Sequence, residues 1–412
     1  MSASPIITRC SIVGGGPGGM MLGYLLARAG IDVVVLEKHA DFLRDFRGDT
    51  IHPSTLELMR ELGLLDAFLR LPHRKVERLV GEIGNVRVTM AEFTRLSSAC
   101  KFIALMPQWD FLDFLADRGR RYAGFHFMMN AEATDLIERD GQVVGVQANT
   151  QSGVIEVSAH LVIGADGRHS VMRERAGLKV EDLGAPMDVL WMRLSRRPDD
   201  CAAVFGHIET GGILVMLDRG DYWQCAYVIR KGSAEEVMNG GIGDFRRTIL
   251  ALSPWLGERV NELKSWDDVK LLTVALDRLS QWYRPGLLCI GDAAHAMSPI
   301  GGVGINLAIQ DAVAAANILA EPLRACDVTV DHLARVQRRR QWPTWVTQAF
   351  QRTIQTRVIA PVLAGTAQPK LPFAVKLLNR LPALRAIPAR FIGIGVRPEH
   401  IRTKEAAELG PH

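Results

Sequence analysis

The stretch that decides the fold is "CSIVGGGPGGMMLGYLLARAGIDVVVLEK", residues 10–38. The apolar run 11–13 predicts a strand, and residues 20–28 predict a helix that ends at Gly30. Residues 31–36 predict a second strand. Gly14, Gly16 and Gly19 form G-x-G-x-x-G between the first strand and the helix. A strand, a glycine-rich turn, a helix and a strand together predict an α/β unit built on a parallel sheet.

Each residue type in this motif has a physical task. Gly14 permits a tight turn, Gly16 lets a pyrophosphate approach the backbone, and Gly19 lets the helix pack closely on the strand. The helix start offers unpaired N–H groups and the positive end of its dipole to phosphate. Glu37 can accept hydrogen bonds from ribose hydroxyls. The motif predicts a dinucleotide site in which Pro17, Gly18 and Lys38 also take part, but does not separate NAD from FAD.

Two later stretches repeat a strand that runs into glycine and aspartate. In "HLVIGADGRHSVMRERAG", residues 160–177, Asp166 and Gly167 follow the strand. In "GLLCIGDAAHAMSPIGGVGINLAIQDA", residues 286–312, Gly291 and Asp292 follow it, and a glycine-rich loop precedes a helix that should begin near Val303. The second loop and helix start are therefore expected to hold an anionic group.

With these three ordered motifs, residues 7–340 resemble the FAD-dependent group A aromatic monooxygenases, which para-hydroxybenzoate hydroxylase and the ubiquinone-pathway hydroxylases typify. The resemblance implies that the first motif binds the ADP part of FAD. It implies that Asp166 and Gly167 lie near the pyrophosphate and are linked to NAD(P)H use. It also implies that Gly291 and Asp292 hold the ribityl chain.

The same resemblance extends to residues around the flavin ring. It places Arg47 and Gln108 near the flavin, and it places a loop of proline, glycines and asparagine beside the ring. The loop residues of this chain are Pro299, Gly302, Gly304, Ile305 and Asn306. His295 and His52 are expected to pack or to hydrogen-bond their loops rather than to act in catalysis.

The function implied by the resemblance is aromatic hydroxylation. NAD(P)H, as NADPH or NADH, reduces FAD, the reduced flavin forms a C4a-hydroperoxide with O2, and the distal oxygen passes to the ring of an aromatic, phenolic and fairly apolar substrate. No catalytic residue and no metal site is predicted. Three alternatives stay open: a flavin-dependent reductase of isoprenoid chains, a non-catalytic FAD-binding protein, and a halogenase, whose Trp-x-Trp-x-Ile-Pro signature this sequence lacks.

The middle of the chain resembles the family least. The hydroxybenzoate enzymes carry polar carboxylate anchors on a strand there, whereas residues 213–217 of this chain, including Val215, are wholly apolar, which favours a larger substrate. In "DYWQCAYVIRK", Tyr222 and Gln224 face one way and Trp223 and Cys225 the other. Tyr222, Gln224, Val215 and Pro299 are the predicted substrate contacts, although the sequence does not say which strand face lines a cavity.

The predicted architecture is α/β with a discontinuous Rossmann-like FAD domain of residues 1–72, 101–180 and 271–340. Residues 73–100 and 181–270 should form a substrate domain with an antiparallel sheet, and helices should fill 341–412. The formal charge of +4 over 412 residues gives no case for nucleic acid as a partner. Six cysteines without metal-type spacing fit a cytoplasmic setting, and the protein is expected to be a monomer or homodimer.

The C-terminal region is strongly basic. Residues 332–398 contain twelve Lys or Arg residues and no Asp or Glu. The favoured interpretation is a helical cap that docks on the more acidic remainder of the chain. The alternative is peripheral contact with an anionic membrane, such as the inner membrane. Pro372, Pro382 and Pro388 exclude one long helix in either case.

Overall fold

A computed structural model describes residues 5–43, 50–84, 86–200, 206–365 and 373–406. Arg47, predicted to lie near the flavin, is outside the described residues. The strands, in chain order, are β1 (Ile6–Val13), β2 (Val33–Leu36), β3 (Thr50–Ile51), β4 (Arg74–Val76), β5 (Arg78–Ile83), β6 (Val86–Glu92), β7 (Ile103–Leu105), β8 (Phe125–Met128), β9 (Glu132–Arg139), β10 (Gln142–Thr150), β11 (Gly153–Gly164), β12 (Val180–Asp182), β13 (Met187–Ser195), β14 (Gly206–Glu209), β15 (Gly212–Asp218), β16 (Tyr222–Arg230), β17 (Lys270–Leu272), β18 (Asp277–Leu279), β19 (Tyr283–Arg284) and β20 (Leu287–Cys289).

Helices alternate with these strands, and the described residues after β20 contain helices and no strand. They are α1 (Pro17–Arg28), α2 (Pro53–Glu61), α3 (Leu65–Phe68), α4 (Gln108–Gly119), α5 (Val171–Arg175), α6 (Ala234–Asn239), α7 (Gly241–Leu252), α8 (Gly304–Arg324), α9 (Val330–Ile354), α10 (Ala360–Leu363), α11 (Phe373–Arg380) and α12 (Ala386–Gly393). A π-helical turn, Gln355–Ile359, joins α9 to α10.

The first sheet has the strand order β19-β20-β11-β1-β2-β8. The pairs among β20, β11, β1, β2 and β8 are parallel. Strand β10 pairs antiparallel with β11, and β9 pairs antiparallel with β10. Strand β2 is wholly apolar and buried, and β1 is buried from Cys10 to Val13, because both faces of this part of the sheet are covered. Helix α1 packs between this sheet and helices α4 and α8. The predicted α/β class with a parallel sheet is confirmed.

The second sheet has the order β17-β13-β16-β15-β14-β5-β6 and is antiparallel except for the β14–β5 pair. Its strands come from residues 78–92 and 187–272, and its two faces carry different apolar sets. One face packs on α7 through residues such as Leu214, Trp223 and Cys225. The other face is turned toward the first sheet. The predicted antiparallel sheet is therefore confirmed, while the domain boundaries stay a prediction.

The C-terminal region is helical only in part. Helices α9 to α12 and the π turn extend to Gly393, but residues 395–406 form no helix, so the expectation that helices fill 341–412 is wrong for this segment. It runs back over helices α1 and α2: Arg28 of α1 donates to the Thr403 carbonyl and pairs with Glu405, and Glu61 of α2 contacts His400. Pairing with distant side chains replaces the helical hydrogen bonds that this stretch does not make.

Helix α8 is the central helix of the first layer. Among the described residues, one helical stretch, Ile300–Arg324, is long and apolar enough to cross a membrane by composition, but 67% of its apolar window is buried inside the protein. It contacts α1 and α9 along its length. Helix α8 is apolar because most of it is buried in the core of the protein.

Candidate active site

The glycine-rich turn holds three elements together at very short range. The Gly14 N–H donates to the Leu36 carbonyl at 2.8 Å, and Gly14 has φ +107°. A Cβ at Gly14 would lie 2.3 Å from the Ala165 carbonyl oxygen, and one at Gly19 would lie 2.0 Å from the Gly14 oxygen. Real Cβ atoms do not approach this closely, so only glycine allows β1, β11 and α1 to meet here.

Gly16 serves a different purpose from Gly14 and Gly19. It is the N-cap of α1 with an ordinary extended backbone, and a Cβ added there would meet no protein atom within 4 Å. The open space belongs to a large cavity that Pro17 and Gly18 also line. The first turn of α1 has no acidic residue, so its N–H groups and positive dipole end face this space unopposed. The geometry fits the pyrophosphate of a dinucleotide.

Glu37 lies beside this turn at the end of β2. Its Oε2 accepts a hydrogen bond from the Gly15 N–H at 2.9 Å, and its Oε1 accepts one from the His39 N–H at 3.1 Å. Glu37 and Lys38 both line the cavity. A carboxylate at the end of the second strand is the group that accepts ribose hydroxyls in dinucleotide sites.

Asp166 has a structural partner as well as a place in the cavity wall. Its Oδ1 accepts from the Ser170 hydroxyl at 2.5 Å and its Oδ2 from the Met172 N–H at 3.1 Å, so it caps the start of α5. Burial raises the pKa of Asp166 above its ordinary value despite these hydrogen bonds. Asp166 and Gly167 both line the cavity.

Gly291 and Asp292 end β20 on the same side of the sheet. Gly291 has φ +59°, and a Cβ there would lie 2.9 Å from the Ala308 Cβ, so glycine lets α8 approach the strand end. Asp292 lines the cavity, with its carboxylate 4.0 Å from the Arg168 guanidinium. The Asp292 carboxylate is thus an anionic hydrogen-bond acceptor in the part of the cavity that leads from the glycine-rich turn toward the second sheet.

The loop before α8 brings backbone to the cavity surface. Gly301 and Gly302 have φ +77° and +62°, and the Thr50 hydroxyl donates to the Gly302 carbonyl at 3.0 Å. The lining residues of this loop and helix start include Pro299, Ile300, Gly301, Gly302, Gly304 and Ile305. The start of α8 therefore points its positive end at a flat, backbone-lined part of the cavity.

Asn306 does not line the cavity but braces this loop from behind. Its Oδ1 accepts from the His52 N–H and from the Thr55 hydroxyl, and its Nδ2 donates to the Thr50 carbonyl at 3.0 Å. His52 is fully buried and its Nδ1 lies 2.8 Å from the Ile392 carbonyl, which can only accept. Burial lowers the pKa of His52 to about 4, so His52 is neutral at pH 7.

A buried charge network behind the loop was not predicted from the sequence. Asp311 accepts from His295 Nε2 at 2.6 Å, from the Gly291 N–H at 3.1 Å and from Arg340 Nε at 2.9 Å. Arg340 also pairs with Glu399 at 3.3 Å. Burial opposes ionisation, but His295 and then Arg340 outweigh it and hold the pKa of Asp311 below its ordinary value. His295 was expected to pack or to hydrogen-bond its loop; its ring packs 4.9 Å from the Trp282 ring, and its hydrogen bond goes to Asp311 on α8 rather than to the loop.

The cavity continues from the nucleotide side to the second sheet as one space of about 1620 Å³. Single ligand pockets usually hold roughly 300–1,000 Å³, so this one has room for a cofactor and a second molecule. Its far wall is apolar. The wall residues come from alternate positions of neighbouring strands and include Ile213, Val215 and Leu217 of β15 and Gln224, Ala226 and Val228 of β16.

The structure decides which face of β16 lines the cavity. Gln224 lies on the cavity side, whereas Trp223 and Cys225 pack into the core against α7. Tyr222, which shares the Gln224 face, is not among the cavity-lining residues, and the Arg193 guanidinium lies over its ring at 4.9 Å. Helical residues close the space, with Phe350 and Arg357 from one side and Val375 and Leu378 from the other.

Most of the predicted site residues line this one cavity. They are Gly14, Gly16, Pro17, Gly18, Glu37, Lys38, Gln108, Asp166, Gly167, Val215, Gln224, Gly291, Asp292, Pro299, Gly302, Gly304 and Ile305. Gly19, Asn306 and Tyr222 lie outside the lining. The contacts that each residue makes with a ligand stay predictions.

The chain is similar to known proteins over most of its length. A family model described as "FAD binding domain" matches residues 8–348. The 6-methylpretetramide 4-monooxygenase of Streptomyces rimosus is 31% identical over 402 residues, which cover 96% of this chain and 94% of that protein. The digeranylgeranylglycerophospholipid reductase of Thermoplasma volcanium is 25% identical over 79% of this chain and 81% of its own length. The crystal structure of OxyS anhydrotetracycline hydroxylase from Streptomyces rimosus has a TM-score of 0.73 at 20% identity, covering 94% of this chain and 76% of that chain, which shows a shared fold.

Proposed function

Because this chain belongs to the family of FAD-dependent aromatic monooxygenases, we propose that it uses NAD(P)H and O2 to hydroxylate a large, apolar phenol. The observation that carries the proposal is the single cavity in which the glycine-rich nucleotide site continues into an apolar chamber. If the nucleotide site and the apolar chamber were separate pockets, the substrate could not reach the flavin ring. In one continuous cavity the flavin and the substrate can lie next to each other.

The residues present fit FAD along the whole length of the cavity. The open space at Gly16 suits the pyrophosphate, Glu37 suits the ribose, and Asp292 suits the ribityl hydroxyls. The glycine backbone at 301–302 suits the flat ring. When bound, FAD would supply the redox chemistry, taking electrons from NAD(P)H and delivering them to O2.

The protein itself holds the ligands in position, stabilises negative charge on the ring and excludes water from the cavity. The positively polarised start of α8 favours negative charge at the ring end of the cavity. The Thr50 and Asn306 hydrogen bonds hold the glycine loop in one conformation, which keeps the ring and the substrate in register. The apolar walls of the chamber keep water away from the reacting atoms.

The substrate is proposed to be a fused-ring phenol rather than a small benzoate. The chamber wall presents Ile213, Val215 and Leu217 where a carboxylate anchor would have to lie. A benzoate would leave its charge without a partner there, and burying an unpaired charge is strongly unfavourable. The relative from Streptomyces rimosus is named for action on 6-methylpretetramide, and we take this as support for a substrate larger than a single ring.

The reaction is tested by oxygen dependence. With fused-ring phenols added to the FAD-loaded protein, we expect one compound to accelerate NAD(P)H oxidation in air and to appear as a hydroxylated product. Under anaerobic conditions the flavin should be reduced once and no product should form. Product that accumulates equally well without air would contradict monooxygenation.

A second candidate function is the reduction of isoprenoid double bonds, which the similarity to the Thermoplasma volcanium reductase favours. An apolar chamber suits an isoprenoid chain as well as it suits fused rings. The anaerobic experiment separates the two functions because a reductase needs no O2. A third candidate, a non-catalytic FAD-binding protein, predicts bound flavin without NAD(P)H turnover.

The placement of the basic C-terminal region supports the cap interpretation. Val375 and Leu378 of α11 and Pro388 of α12 close the chamber, and Arg385 interacts with Glu92 of the second sheet. Phe373 and Ile387 are nevertheless exposed, and several Lys and Arg residues lie close to them in the sequence. Membrane contact therefore stays a prediction, to be tested by salt-sensitive co-sedimentation with anionic vesicles. The choice between monomer and homodimer also stays a prediction.

A further inference from the structure

Among the described residues of the second sheet, two line the cavity with amide or charged side chains, Glu82 on β5 and Gln224 on β16. Among the described residues that β13 to β16 present to the cavity, Gln224 alone carries an amide, hydroxyl or charged group. It is only 3% exposed, although it lines the cavity. A buried amide without its full set of hydrogen bonds is costly, so its retention in an apolar wall points to a partner.

A neighbouring arginine fixes which way this amide faces. Arg219 Nε lies 3.0 Å from Gln224 Oε1. Because a guanidinium can only donate, the oxygen of the amide must be the atom that meets Arg219. The Nε2 group is then held on the other side, and within the described ranges no protein atom accepts a hydrogen bond from it. The chamber thus presents an oriented N–H donor.

Gln224 is connected to the glycine loop through neighbouring strands. Gln224 pairs with Leu217 across the β15–β16 ladder, and Leu217 packs with Ile103 and Leu105 of β7. Leu105 pairs in turn with Thr50, whose hydroxyl donates to the Gly302 carbonyl. Four successive links therefore connect Gln224 to the loop that suits the flavin ring.

We propose that Gln224 Nε2 donates a hydrogen bond to a ketone or phenolate oxygen of a fused-ring substrate. The proposal rests on the proposed function and specifies its substrate class. A ligand with an acceptor oxygen satisfies the amide, whereas a hydrocarbon of the same shape leaves it desolvated and unpaired. Arg219 is a positioning residue, because it holds the amide in the donating orientation and its charge polarises the N–H.

Binding of two matched probes tests the proposal. Anthraquinone and anthracene share a fused-ring skeleton, and only anthraquinone carries acceptor oxygens. Binding to the FAD-loaded protein is measured by quenching of tryptophan fluorescence, since Trp191 lines the chamber. We expect the wild type to prefer anthraquinone, and Gln224→Leu to reduce this preference about tenfold, the effect of one lost hydrogen bond.

Two further variants separate recognition from folding. Gln224→Glu keeps an acceptor for Arg219 but removes the N–H donor, so it should lose the preference while remaining folded. Arg219→Met frees the amide to rotate and should weaken the preference partly, and Arg219→Lys should restore it. Gln147→Leu makes the same chemical change on β10 of the other sheet, outside the cavity lining, and should leave both affinities unchanged.

Three results would overturn the proposal: no binding of anthraquinone to the wild type, equal affinity for both probes, or an unchanged preference in Gln224→Glu. These results are distinguishable from failure of the proposed function. If the same protein incorporates oxygen from O2 into a substrate without an acceptor oxygen, the monooxygenase function stands and the role of Gln224 falls.

Discussion

Arg340→Met is expected to lower the free energy of unfolding by roughly 3–5 kcal/mol, the usual cost of removing one partner from a buried ion pair. Arg340 is 1% exposed and is bound by Asp311 and Glu399, which are also buried. Its loss would leave two carboxylates without their shared cation in a space that water does not reach. Urea unfolding at pH 7 measures the change, with an unchanged m value showing that only stability has moved.

Arg338→Met is the matched control for this change. Arg338 lies on the same helix and pairs with Asp331 at 3.0 Å, but both side chains are more than 60% exposed. Exposed pairs contribute about 0–1 kcal/mol, so the control should remain close to the wild type. Equal stability of the two variants would show that the buried network does not hold the C-terminal segment in place.

Acidification should weaken the same network in the wild type. The folded-state pKa of Asp311 lies below its unfolded value. Its contribution to stability is therefore complete above the ordinary range of carboxyl groups and is lost as the pH falls through the lowered folded-state pKa. The difference in stability between wild type and Arg340→Met should accordingly shrink in acid.

Gly16→Asp is expected to abolish FAD retention while leaving the fold intact. The backbone at Gly16 is extended, an added Cβ meets no protein atom within 4 Å, and aspartate is a favoured N-cap residue for α1. The new carboxylate would stand where the pyrophosphate is proposed to lie, and juxtaposed like charges cost several kcal/mol. We expect FAD affinity to fall by about two orders of magnitude or more.

The measurement is the ratio of flavin to protein absorbance after gel filtration, together with the thermal midpoint of the FAD-free protein. Gly243→Asp is the control, since Gly243 lies in the first turn of α7 and the nearest atom to an added Cβ, in Arg247, is 3.9 Å away. A Gly16→Asp protein that retains its flavin like the control would exclude this turn as the pyrophosphate site.

The parts of the site that could be predicted from the sequence are those that local chemistry dictates. Gly14 and Gly291 adopt positive φ angles that favour glycine, and strand, turn and helix follow one another along the chain. Alternation along β16 also separated Gln224 from Trp223 correctly. Periodicity cannot say which face meets the cavity, because that depends on where the other sheet lies.

The parts that could not be predicted depend on residues far apart in sequence. Asp311 and Glu399 meet through Arg340, and residues 395–406 lose helical structure because side chains such as Arg28 and Glu61 bind them instead. Asn306 was predicted from the family resemblance to lie beside the flavin, yet it braces the loop from outside the cavity lining. Only the assembled fold shows these contacts, since no local pattern encodes them.

Mass spectrometry of the product after turnover under isotopically labelled O2 shows where the new oxygen atom comes from. With the FAD-loaded wild type, NAD(P)H and the phenol that most accelerates NAD(P)H oxidation, we expect one labelled oxygen atom in each product molecule. The same reaction in labelled water under ordinary O2 should give unlabelled product. A product that takes its new oxygen from water, or that contains no new oxygen, would exclude monooxygenation.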